Sequence, residues 1–114
     1  MGRQGVSTTR AAEDALAILG NQIRLARAAR GITAAQLAGS AGISRKTLAS
    51  IEHGSAAASI GNVFKVATIV GVPLFGVDDP SELLALRRRG EERLALLPSR
   101  VTVSRQDDDD GLDF

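Results

Sequence analysis

Between Gly31 and Gly54 the chain can take few courses other than two short helices that meet at a tight turn. Thr33 and Ser44 stand where those helices would begin, and their side-chain oxygens can accept from the orphan N–H groups of a helix start. Gly42 closes the first helix in a left-handed conformation that residues with a Cβ resist. Gly54 stops the second. Ala38 is small where the second helix must cross close by, and Leu37, Ala41, Ile43, Leu48 and Ile51 supply apolar contacts that fix the crossing.

Any pair of packed helices needs caps and leucines. It does not need a small residue, a turn glycine and an aliphatic at these offsets together. Nor does it need its second helix to open on Ser44-Arg45-Lys46-Thr47, with basic groups at an exposed tip. The pattern is that of a helix-turn-helix, whose second helix can lie in the DNA major groove.

Charge points the same way once it is read by segment. Across residues 20–70 the bases Arg24, Arg27, Arg30, Arg45, Lys46 and Lys65 face Glu52 alone, whereas residues 106–114 hold Asp107, Asp108, Asp109, Asp110 and Asp113 with no base. The net charge of +1 is thus a cancellation between a cationic module and an anionic ending. Cationic modules gain DNA affinity by counterion release.

With 114 residues the chain has room for one modest core and some appendages. That core is aliphatic, since three Phe are the only aromatic residues. The chain has no Cys, which removes disulfides and thiolate metal sites. No apolar run reaches membrane-spanning length, because Lys65 and Pro73 interrupt the best one. No apolar signal segment opens the chain, so the cytoplasm is the expected location, at the nucleoid of a bacterium. No nucleophile elbow, phosphate-cradling glycine loop or paired His ligands are present, so no enzyme, cofactor or metal site is expected. His53 stands alone near a helix end, and a flexible aspartate run does not preorganise a cation site.

The remaining pattern predicts a mobile leader (1–10), a helix-turn-helix domain (11–78), a C-terminal helix and strand for dimerisation (79–105) and a disordered acidic tail (106–114). In the leading helix, 11–30, Leu16, Leu19, Ile23 and Ala26 recur at helical spacing. The motif helices span 33–41 and 44–53. A fourth helix covers 59–70, capped by Ser59, with Ile60, Val63, Ala67 and Val70 facing inward. One short turn follows at 73–77. A helix restarts at Asp79-Pro80 and runs to about Leu97, frayed or broken near Gly90. Residues 100–105 alternate in the manner of a strand. The class is all-α.

The motif together with its flanks, Leu19-Gly20-Asn21-Gln22-Ile23-Arg24-Leu25 before it and Ser59-Ile60-Gly61-Asn62-Val63-Phe64-Lys65 after it, resembles the lambda-repressor/Cro-like, or XRE-type, regulators from about Leu19 to Val77. The resemblance implies a compact five-helix DNA-binding domain, dimeric on a palindromic double-stranded operator. It assigns base contacts to Arg45, Lys46, Ala49 and Ser50, and backbone contacts to Ser44, Thr47 and Asn62. Arg or Lys can pair with guanine O6 and N7, and Ala with a thymine methyl. It also implies a structural ion pair between Arg27 and Glu52. Many relatives place Gln or Ser at the first residue of the second helix to hold a phosphate; Ala34 stands there in this chain.

Residues 107–114, Asp-Asp-Asp-Asp-Gly-Leu-Asp-Phe, are similar to the tails of antitoxins encoded beside HipA-type kinase toxins. That resemblance implies a HipB-like antitoxin that represses its own operon and engages a kinase toxin through Asp110, Leu112 and Phe114. Two alternatives stay open. One is a stand-alone phage-type or metabolic repressor. The other is an interaction adaptor whose helix-turn-helix no longer binds DNA.

Overall fold

A computed structural model describes residues 7–99. They form five helices, α1 (Arg10–Ala29), α2 (Ala34–Ala41), α3 (Arg45–Glu52), α4 (Ile60–Val70) and α5 (Pro80–Ala95), with no strand among the described residues. The expected strand at 100–105 and the tail residues Asp110, Leu112 and Phe114 lie outside that range. The chain divides between Asp78 and Asp79 into two units, the first holding α1–α4 and the second α5.

Each helix of the first unit starts on a hydroxyl cap. Thr9 accepts from the Ala12 N–H at 3.1 Å, and Ser59 from the Asn62 N–H at 3.4 Å. Thr33 and Gln36 form a reciprocal pair. Thr33 Oγ1 accepts from the Gln36 N–H at 3.1 Å, while Gln36 Oε1 accepts from the Thr33 N–H at 2.9 Å. At the other end of α2, Gly42 adopts φ 69°, which lets the Ile43 N–H reach back to the Ala38 carbonyl at 3.0 Å.

The core gathers Ile23 of α1, Leu37 and Ala41 of α2, Leu48 and Ile51 of α3, and Val63, Val66, Ala67 and Val70 of α4, all buried. α1 packs on α3 and α4, and α2 packs on the same two helices. At the α1–α3 crossing the two backbones come close together. A Cβ added at Gly20 would lie 2.7 Å from the Glu52 carbonyl oxygen and 2.8 Å from that of Ile51. Only a glycine lets these backbones touch.

Two expectations need correction. Ile60 does not face inward: it is 71% exposed, at the rim of an open apolar groove that Leu16, Leu19, Val63 and Phe64 also line. It is the first residue of α4, where the helix has not yet reached the core. Gly90 does not break α5, which runs unbroken from Pro80 to Ala95. A lone glycine weakens a helix by only about 1 kcal/mol, which its neighbours can absorb.

The turn after α4 is a two-residue reversal. The Val77 N–H donates to the Leu74 carbonyl at 3.2 Å, with Phe75 at φ 56° and Gly76 at φ 75° between them. Left-handed backbone is rare for a bulky residue. Here the Phe75 ring meets that of Phe64 edge-on, with centroids 5.9 Å apart.

Candidate nucleic-acid interface

α3 begins where Ile43 anchors the turn and Ser44 leaves the extended backbone. Ser44 Oγ accepts from the Thr47 N–H at 3.0 Å and donates to Thr47 Oγ1 at 2.9 Å. The two hydroxyls share one hydrogen bond, so one proton of the pair is left for an outside acceptor. Leu48, Ile51 and Glu52 turn inward, as an eight-residue amphipathic helix against a core requires. Arg45, Lys46 and Ala49 are exposed, while Thr47 and Ser50 are half-buried.

Glu52 is the buried member of a bidentate ion pair. Arg27 Nε donates to Oε2 at 2.7 Å and Nη2 donates to Oε1 at 3.0 Å. A third donor, Nη1, satisfies the Ile32 carbonyl at 3.1 Å. One guanidinium thus ties α1 to the end of α3 and to the segment before α2. The hydrogen bond to Glu52 raises the Arg27 pKa above its usual value against the opposing effect of burial.

This pair has an electrostatic consequence for the surface. It neutralises the one acid between residues 20 and 70. Among the described residues the remaining ion pair joins Arg87 to Glu91, so Arg45 and Lys46 carry uncompensated charge at the start of α3. Such a face attracts phosphate.

Asn62 belongs to another element, in the first turn of α4 and half-buried, beside the Ser59 cap. His53 caps α3, its Nδ1 2.7 Å from the Ala49 carbonyl oxygen, which accepts from Nδ1–H. Ala34 opens α2 without a polar side chain. The contact that sequence reasoning misses is Gly20. A glycine inside the apolar spacing of the first helix is its one trace in the sequence, and Gly39 of α2 leaves the same trace with nothing within 4 Å of an added Cβ. The Thr33–Gln36 pair is legible too, as a Thr followed three residues later by Gln.

Residues 23–77 match the helix-turn-helix family, a span from the middle of α1 to the turn that ends at Val77. No curated protein and no solved structure matches the chain significantly. No helix among the described residues is long and apolar enough to cross a membrane. Residues 23–77 therefore match a helix-turn-helix domain, and that match supports an XRE-type, DNA-binding transcriptional regulator.

Proposed function

We propose that the protein is a sequence-specific repressor that binds a palindromic DNA operator as a homodimer, with α3 in the major groove. The observation that carries this reading is the uncompensated basic tip of α3, Arg45 and Lys46, beside the small exposed Ala49. Either base can pair with guanine O6 and N7, while Ala49 suits a thymine methyl and Ser50 a base edge directly or through water. Thr47 donates to a phosphate oxygen, with Ser44 holding it in place. The N-terminal N–H groups of α4 beside Asn62 suit a second phosphate, because helix starts carry partial positive charge.

The test is a shift assay of full-length protein on a fragment of its own promoter. Arg45→Ala, Lys46→Ala protein should fail to shift the fragment under conditions where the unaltered protein does. Equal binding by both would sink the assignment of α3.

A finer reading makes this repressor an antitoxin that engages a HipA-type kinase toxin through its acidic ending. It is supported by the alternation of Leu112 and Phe114 after four aspartates. Apolar anchors at a spacing of two suit an extended peptide laid in a groove. Deleting residues 106–114 should abolish toxin binding and leave DNA affinity unchanged. A rise in DNA affinity at low salt with no partner defect would instead identify a tail that competes for the protein's own basic face.

A further inference from the structure

α5 carries an apolar stripe that no other part of α5 can cover. None of its side chains is buried. Leu86, Leu94 and Leu97 are 37%, 66% and 57% exposed. At 3.6 residues per turn, Leu83, Leu86, Gly90, Leu94 and Leu97 fall within an arc of roughly 80°. Leu97 lies just past the helix, held on its last turn by its N–H bond to the Leu94 carbonyl at 3.0 Å.

The order of residues along that stripe is mirror-symmetric. Leu83-Leu84-Ala85-Leu86 before Gly90 is repeated in reverse as Leu94-Ala95-Leu96-Leu97 after it. Next to the same centre charge reverses, with Arg88 and Arg89 answered by Glu92 and Glu91, while one step further out Arg87 is matched by Arg93. Gly90 itself has open space where a Cβ would stand, so nothing near it among the described residues requires a glycine.

We propose that α5 pairs antiparallel with α5 of a second copy of this chain, across a two-fold axis at Gly90. A parallel pair places no demand on mirror order, since each residue then meets its own copy. An antiparallel pair does, and this stripe meets it: Leu83 comes level with Leu97 of the second copy, Leu86 with Leu94, and glycine with glycine. The missing side chains let the backbones approach at the crossing. The arginine-rich half of each helix then runs beside the glutamate-bearing half of the other, and the helix dipoles oppose. In a parallel pair the Arg87–Arg89 triplets would lie together. Arg87 already pairs with Glu91 at 3.0 Å on one edge of the stripe, where the same two residues of the second copy would extend the network. The contact is isologous, so it closes at two subunits. It rests on the homodimer of the proposed function and gives that dimer a specific seam.

Because the chain has no cysteine, single introduced thiols report on this seam in the full-length protein. Gly90→Cys should form a disulfide-linked dimer on mild oxidation. A mixture of Leu86→Cys and a mass-tagged Leu94→Cys should cross-link between the two species, severalfold above either variant alone. Leu86 residues of the two copies would stand eight residues, about 12 Å, apart along the helices, beyond disulfide reach. Cross-linking of the mixed pair supports the register even if a side chain at position 90 disturbs the crossing. Leu86→Cys linking to itself as readily as to Leu94→Cys would overturn the antiparallel arrangement. No cross-link in any sample, with a monomer in sedimentation, would overturn the pairing altogether. Promoter shifts on the same preparations are read separately. Loss of DNA binding with the cross-links intact would sink the repressor reading and leave the helix pair standing.

Discussion

Arg27 holds both carboxylate oxygens of Glu52, at 2.7 and 3.0 Å, and gives a third donor to the Ile32 carbonyl. Both side chains are largely out of solvent, 17% and 8% exposed. Removing one partner strands the other. Glu52→Ala should therefore cost about 3 kcal/mol of folding stability. The double variant Arg27→Met, Glu52→Leu should recover much of that loss. A thermal-denaturation cycle with additive losses would contradict the coupling.

The crossing of α1 and α3 makes an opposed pair of glycine predictions. Gly20→Ala forces a methyl against two carbonyl oxygens and should destabilise the fold by about 2 kcal/mol. Gly39→Ala sits within α2 with nothing inside 4 Å of the added Cβ. It should stabilise by about 0.5–1 kcal/mol through helix propensity and the unfolded chain's lost freedom. Denaturant titration of both variants checks the contrast. A stabilised Gly20→Ala would mean that the two helices are not in backbone contact.

Ser44 and Thr47 touch each other but do different work. Ser44→Ala removes the cap of α3 and should lower stability by about 1 kcal/mol. Thr47→Val keeps the shape and the backbone N–H. It should leave the melting temperature close to unchanged and weaken binding to operator and random DNA alike, as loss of a phosphate contact does. Weakening confined to one sequence would instead give Thr47 a base-reading role.

Arg45→Ala should cost about 1–3 kcal/mol on the specific site and relax preference at one base position. Binding by the unaltered protein should also weaken steeply as salt rises, since a cationic face displaces the counterions condensed on DNA phosphates. Binding-site selection with the variant checks the first point, and a salt titration the second. An unchanged preference at every position would remove Arg45 from base readout.

Local chemistry makes much of the fold legible in the sequence. Thr33, Ser44 and Ser59 cap the helices that their residue types and positions predict. Gly42 and Gly54, the two glycine stops read from the sequence, adopt the left-handed backbone expected after α2 and α3. Capping, glycine stops and apolar spacing act within a few residues, so a sequence states them outright. The family resemblance adds the Arg27–Glu52 pair, which spans twenty-five positions and leaves no local trace.

Only the tertiary structure decided the rest. Gly20 needed the arrival of the Glu52 carbonyl to become a requirement, and Ile60 turned to the surface although its spacing matched the buried face. Phe75 takes left-handed backbone that its own residue type disfavours, where its ring meets Phe64 from another part of the chain. The sequence determined the course of α1–α4 and where α2 and α3 stop, because those preferences are set by neighbours along the chain. The structure decided which faces touch, because contact depends on how closely two distant backbones can pass.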